Sequence, residues 1–187
     1  MQVRELGLKG LLEITVPRYH DDRGYFEEVF HHERFAQLGI ESNFVQDNLS
    51  FSKAGVLRGL HFQRAPQGQG KLVKVLSGAV LDVIVDIRPE SSTFGQYEKV
   101  LLSAENGNLL YVPEGFAHGF EALADTVFLY KCTNLYSKAC EGGIRYDDKQ
   151  LGIVWETKNP IVSPKDIELP SFAAFCSSLG VAVGVKA

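Results

Sequence analysis

KLVKVLSGAVLDVIVD, residues 71–86, contains two β-rich runs separated by the turn residues Ser77-Gly78. Side chains alternate between the two faces of a strand. In the second run, alternate residues from Val80 to Asp86, including Asp82, therefore share one face, and the apolar residues between them share the other. Apolar β-branched residues next to a turn signal are typical of strands, so residues 71–86 predict two strands joined by a tight turn.

Similar runs follow towards the C-terminus. Tyr97–Leu102 is β-rich, Asn106-Gly107 marks a tight turn, and Leu109–Val112 ends at Pro113, where a strand is expected to terminate. Thr126–Thr133 is a further strand candidate. Short strands with turns between them, and no helices in alternation, predict an all-β sandwich or barrel.

Two helical segments are expected outside this β region. His32–Leu38 is ended by Gly39, and a second short segment, Ser171–Leu179, is ended by Gly180. Both are predicted to be peripheral. The absence of repeats, low-complexity tracts and charged linkers predicts one domain, residues 1–187, with a short C-terminal appendix over about residues 170–187.

Composition and charge exclude several classes of function. The chain has 187 residues, of which 45% are hydrophobic and 22% charged, as in an ordinary water-soluble domain. A net charge of -4 disfavours general nucleic-acid binding, which needs basic surface. The longest apolar runs, such as Gly180–Val185, are too short to cross a bilayer. The N-terminal residues lack the apolar stretch of a secretory signal, and three cysteines without a CxxC pair suggest neither a disulfide framework nor a zinc knuckle. We therefore expect a cytoplasmic protein that contacts neither nucleic acid nor membrane.

The run Val56–Gln63 places two polar side chains among apolar neighbours. On a regular strand Arg58 and His61 would point to opposite faces, unless Gly59 marks a bulge. Taken alone, the run also fits a buried histidine with one hydrogen bond and an arginine on the surface.

Three further side chains could carry chemistry. Lys71 opens a strand, His118 lies in what resembles a glycine-rich loop between aromatic residues, and Tyr130 shares a strand face with Phe128 and Cys132. Each has an ordinary structural explanation as well: a solvated lysine, a histidine packed on phenylalanine, and a core tyrosine with a paired hydroxyl.

The sequence contains few signs of a metal site or of a catalytic nucleophile. The histidines are at positions 20, 31, 32, 61 and 118, and they form no H-x-H or HExxH pair. A site built from His61, His118 and a carboxylate is conceivable but has no support from spacing. There is no GxSxG motif and no cysteine beside a histidine. We therefore expect neither a metal nor a cofactor.

Taken together and in order, these strings resemble the motifs of the dTDP-4-dehydrorhamnose 3,5-epimerase family. The similarity extends from about Val16 to Asp166. The motifs are Asp22–Glu28, Phe44–Asn48, Arg58–Gln63, Gln69–Val73, Asp82–Asp86, Leu102–Asn106, Pro113–Phe120 and Phe128–Lys131. Each motif is weak alone, and the ordered set is specific.

The resemblance implies a fold and a set of catalytic residues. The implied fold is a double-stranded β-helix jelly roll, which is a cupin-like barrel, with short peripheral helices. Members of the family bind no metal at the site and are usually dimers. His61 matches the base, Tyr130 the acid, and Asp166 the carboxylate that orients the base. Lys71 and Arg58 match residues near the sugar and its developing oxyanion.

The resemblance also implies a substrate and its contacts. The substrate is a dTDP-linked 4-keto-6-deoxy sugar. Besides Arg58, the residues that match substrate or nucleotide contacts are Arg23, Glu28, Gln46, Asp47, Asn48, His118, Tyr136, Glu141 and Lys165. Arg23 and Glu28 are expected to reach the site of a neighbouring subunit in a homodimer.

The implied reaction is epimerisation at C3 and C5, by proton abstraction next to the ketone and reprotonation from the opposite face. Leu135 stands beside Tyr136 where the family often has two tyrosines, so a C3-only epimerase of a related sugar nucleotide is the alternative. A metal-dependent cupin enzyme and a non-catalytic sugar-nucleotide binding domain are the competing hypotheses.

Overall fold

The computed structural model of the chain describes residues 1–40 and 43–181. Within them the strands are β1 (Gln2–Glu5), β2 (Leu12–Thr15), β3 (Arg18–Asp21), β4 (Gly24–Glu27), β5 (Gln46–Ser52), β6 (Val56–Gln63), β7 (Lys71–Ser77), β8 (Ala79–Asp86), β9 (Tyr97–Ser103), β10 (Leu109–Val112), β11 (Phe116–Ala122), β12 (Thr126–Cys132), β13 (Glu141–Gly143) and β14 (Ile161–Val162). The helices are α1 (His32–Ala36), α2 (Pro164–Ile167) and α3 (Phe172–Ser178).

The longer strands form two antiparallel sheets. The first sheet has the order β1-β2-β10-β7-β12-β5, and the second has the order β13-β6-β11-β8-β9, with β14 added in parallel to β6. The hairpin β3–β4 is a separate two-stranded sheet. Consecutive strands alternate between the two main sheets from β5 to β8 and again from β9 to β13, which is the winding of a jelly roll. The all-β jelly-roll prediction is confirmed.

Residues 71–86 form two strands, as predicted, but the strands do not pair with each other. β7 pairs with β10 and β12 in the first sheet, whereas β8 pairs with β9 and β11 in the second. The turn at Gly78, where φ is +81°, therefore passes the chain from one sheet to the other. The turn at Asn106-Gly107 does the same between β9 and β10.

The main core lies between the two sheets. Val73 and Val75 of the first sheet meet Val80 and Ile84 of the second there, and all four are buried. Val83 and Val85, on the opposite face of β8, are also buried, against the C-terminal segment. The predicted alternation of β8 is correct, and both of its faces are covered.

The helices lie outside the barrel but bury apolar residues against it. Phe172, Phe175 and Cys176 of α3 pack behind the second sheet, and Phe35 of α1 packs behind the first. The C-terminal appendix is thus part of the packed structure up to α3, since burial of this apolar surface stabilises the fold. Residues 182–187 of the appendix lie outside the described part of the chain.

The expectation of a glycine-rich loop around His118 is wrong. The turn ends at Gly115, where φ is +86°, and residues from Phe116 onwards form β11, a central strand of the second sheet. Position 119 of this strand requires a glycine, because the backbone of a neighbouring strand approaches so closely that a Cβ atom would collide with it. None of the helices in residues 1–40 and 43–181 is both long and apolar enough to cross a membrane.

Candidate active site

A bulge in β6 brings Arg58 and His61 to the same cavity. His61 pairs with His118 of β11, and Arg58 pairs with Phe120, so three steps along β6 match two steps along β11. The extra residue reverses the alternation of side chains. Gly59 permits this local geometry: its φ is +124°, and a Cβ there would lie 2.6 Å from the Cα of Gly119.

The His61 imidazole is hydrogen-bonded to a buried carboxylate. Its Nε2 lies 2.7 Å from Oδ1 of Asp166, and the amide of Gly59 donates to Oδ2 at 3.3 Å. Strand β14 pairs with the start of β6, and Ser163 then caps the short helix α2, which places Asp166 beside the histidine.

The charge state of Asp166 fixes the roles of the two ring nitrogens of His61. Burial alone would raise the pKa of the Asp166 carboxyl, but the hydrogen bond from His61, with those from Gly59 and Ser163, holds this pKa below its ordinary value. Asp166 is therefore a carboxylate at neutral pH and accepts the proton of Nε2, which leaves the lone pair of Nδ1 for chemistry.

Tyr130 and Lys71 line the same cavity from the first sheet. They lie on the neighbouring strands β12 and β7, and the Lys71 ammonium is 5.8 Å from the centre of the Tyr130 ring. Burial lowers the pKa of Lys71 and raises the pKa of Tyr130. We call this side, β7 and β12, the acid wall, and the opposite side, β6, β11 and α2, the base wall.

A second histidine–carboxylate pair lies deeper in the base wall. Nε2 of His118 is 2.7 Å from Oδ1 of Asp82, and both residues are buried. Oδ2 of Asp82 has no hydrogen-bond partner among the described residues. Lys71 and Asp82 attract each other electrostatically, which partly offsets the effect of burial on the pKa of Lys71.

The cleft consists of two adjoining compartments of about 290 and 300 Å³. His61, Lys71 and Tyr130 line both of them. The first compartment also has Ser50, Arg58, His118, Gly119, Phe120, Phe128, Ser163, Lys165 and Asp166. The second also has Gln46, Asn48, Phe62, Gln63, Gln69, Tyr136 and Glu141. Together they have the size of a site for a small organic ligand.

A chain of polar contacts crosses the boundary between the compartments. Glu141 accepts hydrogen bonds from the Tyr136 hydroxyl, at 3.1 Å, and from the Lys165 ammonium. Hydrogen bonding to Lys165 holds the pKa of the Glu141 carboxyl below its ordinary value. Tyr136 and Lys165 are exposed to solvent, so these polar contacts lie at the open side of the cleft.

Three of the predicted site residues do not line this cleft. Arg23 is exposed in the turn between β3 and β4, where it pairs with Asp21. Glu28 pairs with Arg34 at 2.6 Å. Asp47 pairs with Lys131 on the outer surface of the first sheet. The other predicted residues all line one or both compartments.

The sequence interpretation missed several residues that the structure connects to the site, among them Asp82, Gln63 and Gln69. Asp82 lies on the barrel-facing side of a buried strand, where a carboxylate among apolar residues is unexpected, and this was a usable signal in the sequence. Gln63 and Gln69 line the second compartment. Both belong to motifs recognised in the sequence, but an isolated glutamine has no distinctive spacing.

The residues of the cleft do not form a metal-binding cluster. No group of three or more His, Cys, Asp or Glu side chains suited to a metal occurs in residues 1–40 and 43–181. Each of the two cleft histidines is paired with a carboxylate instead. The absence of a metal in the working protein stays a prediction for elemental analysis.

The family model described as dTDP-4-dehydrorhamnose 3,5-epimerase matches residues 5–174. The chain belongs to this family.

It is 52% identical over 173 residues to dTDP-4-dehydrorhamnose 3,5-epimerase of Salmonella typhimurium, covering 91% of this chain and 94% of that protein. It is 41% identical to dTDP-4-dehydrorhamnose 3-epimerase of Streptomyces niveus, covering 89% and 81%. Among solved structures, the 3,5-epimerase of Legionella pneumophila in complex with dTDP-4-keto-L-rhamnose has a TM-score of 0.91 and 44% identity, with 98% of both chains covered. Family membership makes this chain an epimerase of the isomerase class.

Proposed function

We propose that this epimerase inverts C3 and C5 of dTDP-4-dehydro-6-deoxy-D-glucose to give dTDP-4-dehydro-L-rhamnose, with His61 as base and Tyr130 as acid. One observation carries the assignment of roles: an imidazole and a phenol on opposite sheets line one cavity, with an ammonium beside the phenol. A reaction that removes a proton from one face of a ring and returns one to the other needs this arrangement.

The base wall performs proton abstraction. The 4-keto group acidifies the C–H bonds at C3 and C5, so a neutral imidazole is strong enough to remove either proton. Asp166 keeps the Nε2–H tautomer of His61 and stabilises the imidazolium that forms. Nδ1 of His61 is the atom that takes the proton.

Cations stabilise the enolate that results. Negative charge develops on the C4 oxygen as the proton leaves. Lys71 makes no hydrogen bond with the described residues, so its ammonium is available to this oxygen, and the Arg58 guanidinium lines the same compartment. One such donor contributes about 3 kcal/mol in a site that excludes water.

The acid wall returns the proton. Burial raises the pKa of Tyr130, so the phenol is protonated at neutral pH and can donate to the enolate carbon from the face opposite His61. Solvent then reprotonates Tyr130, and His61 loses its proton to solvent.

The nucleotide binds at the open side of the cleft. Lys165 provides positive charge for the diphosphate, and the amide groups of Gln46 and Asn48 line the second compartment. These contacts need no metal or cofactor. We also propose that the chain works as one domain in the cytoplasm; its three cysteines are free thiols, as is usual in a reducing compartment.

The test is deuterium exchange at the sugar, followed by NMR. Metal-free protein is incubated with dTDP-4-keto-6-deoxyglucose in D₂O, with a chelator present. We expect deuterium at both C3 and C5 and inversion of both carbons. Exchange at C3 alone would assign a C3 epimerase, and activity that needs added iron, manganese or zinc would assign a metal-dependent enzyme. Stabilisation by dTDP without any exchange would assign a binding domain.

We further propose a homodimer in which the hairpin β3–β4 reaches the cleft of the partner. By family resemblance Arg23 and Glu28 contact the substrate, yet neither lines the cleft of its own chain. The hairpin also exposes three large aromatic side chains, Tyr19, Tyr25 and Phe26, which are 56–66% accessible to solvent. Exposed aromatic residues of this kind mark interaction surfaces.

Mixed dimers test this arrangement. Arg23→Ala and His61→Asn are each expected to be nearly inactive alone. Co-expressed, the two variants form mixed dimers with one intact site, so about a quarter of wild-type activity per chain is expected. An Arg23 that served its own chain would give no recovery, and a monomer in sedimentation would also contradict the proposal.

A further inference from the structure

Three glutamine side chains hold the backbone of the loop that follows the acid strand. The loop, residues 133–137, comes directly after β12 and carries Leu135 and Tyr136. The three side chains, which we call the glutamine clamp, are Gln46, Gln63 and Gln69. All three line the second compartment.

Gln63 makes the largest number of these contacts. Its Oε1 accepts a hydrogen bond from the amide of Ser137 at 2.6 Å. Its Nε2 donates to the carbonyl of Leu135 at 3.2 Å and to the carbonyl of Gln67 at 2.7 Å. One amide group thus fixes the backbone on both sides of Tyr136.

The other two members hold the same loop from different directions. Oε1 of Gln46, on β5, accepts from the amide of Tyr136 at 2.9 Å. Nε2 of Gln69 donates to the carbonyl of Asn134 at 2.7 Å. With Gln63, they contact four consecutive residues of the loop, 134–137.

One member of the clamp, Gln63, joins the two walls of the cleft. Tyr130 lies on β12, which pairs with β5 and β7 in the first sheet. His61 lies on β6 in the second sheet, and Gln63 follows it by two residues, roughly 7 Å along the strand. β6 and β12 do not pair with each other. The hydrogen bonds of Gln63 therefore tie the continuation of the acid strand to the strand of the base.

From this geometry we propose that Gln63 is a positioning residue that sets the acid wall against the base wall; the inference rests on the proposed epimerase function. Proton abstraction depends on how the sugar meets His61 alone. Inversion also requires Tyr130 to meet the other face of the same ring, so it depends on the separation and alignment of the walls. A shift of about 1 Å between catalytic groups can cost 10²-fold in rate.

The experiment measures two quantities in D₂O: deuterium incorporated without inversion, and inverted product. Gln63→Met keeps the length of the side chain and removes all three hydrogen bonds. We expect the ratio of exchange without inversion to inversion to rise on the order of tenfold. Gln63→Glu keeps the acceptor for Ser137 and loses the donors, so its ratio is expected between those of Gln63→Met and wild type.

The matched control is Gln96→Met, because Gln96 is exposed and lines neither compartment. It should leave the ratio unchanged. A Gln63→Met protein with the wild-type ratio, or one in which exchange and inversion fall equally, overturns the inference, whatever its melting temperature. Absence of exchange in the wild type would instead refute the proposed function, so the two failures are distinguishable.

Discussion

The two walls of the cleft treat their functional side chains in opposite ways. On the base wall, His61 and His118 are each hydrogen-bonded to a buried carboxylate, at 2.7 Å in both cases. On the acid wall, the side chains of Tyr130 and Lys71 form no hydrogen bond with any residue in 1–40 or 43–181, although both are partly buried. The first wall is organised internally, and the second leaves its donors available.

This difference teaches how one site can serve two steps. A base must hold one tautomer before the substrate arrives, which requires a fixed partner such as Asp166. A donor to the enolate works best when its strongest interaction forms only as charge develops on the sugar. Burial without a hydrogen-bond partner also raises the pKa of Tyr130 and lowers the pKa of Lys71.

The largest expected effects are those of replacing the base on one wall and the acid on the other, because the two variants should differ in how much exchange they retain. His61→Asn should lower both exchange and inversion by roughly 10⁴-fold, because no group remains to remove the proton. Tyr130→Phe should lower inversion by roughly 10²-fold or more and retain most of the exchange, because abstraction on the other face persists. Deuterium incorporation and product configuration, both followed by NMR, give the two rates. Equal losses of exchange in both variants would contradict the assignment of His61 as base and Tyr130 as acid.

Asp166→Asn should have the next largest effect. Removing the carboxylate weakens control of the His61 tautomer, and we expect exchange to fall by between about 10- and 100-fold with KM little changed. Asp147→Asn, which removes an exposed carboxylate paired with Arg145, is the control and should have no effect on exchange. A wild-type rate in Asp166→Asn would mean that the hydrogen bond at His61 is only structural.

The smallest effect concerns the alkaline limit of kcat. Burial lowers the pKa of Lys71 from 10.5, so the ammonium loses its proton as pH rises through a value below 10.5. The pKa of Tyr130 shifts in the opposite direction, above 10.0. We therefore expect kcat to fall with rising pH as Lys71 becomes neutral.

Lys71→Arg tests this assignment, because a guanidinium keeps its charge in this range. Even at a lower rate, the variant should show its alkaline decline at higher pH than wild type. A decline at the same pH in both proteins would assign the titration to another group.

The sequence predicted local structure well where the chain itself determines it. The strand from Leu109 to Val112 ends before Pro113, which cannot donate to a ladder. The helix near the C-terminus has Ser171 as its cap and ends before Gly180. Which strands pair was not predictable, because the partners of β7 and β8 are chosen by packing between distant segments.

The site divides in the same manner. The sequence by itself determined the chemical inventory, namely a histidine, a tyrosine, a lysine and an aspartate in the motifs of one family. Only the tertiary structure decided that His61 and Arg58 share a face, since this depends on how β6 meets β11 at Gly59 and Gly119. The contacts of Gln63 with the loop were likewise decided by the tertiary structure. Side-chain identity and turn preference are properties of neighbouring residues, whereas bulges and contacts between sheets depend on residues that meet only after folding.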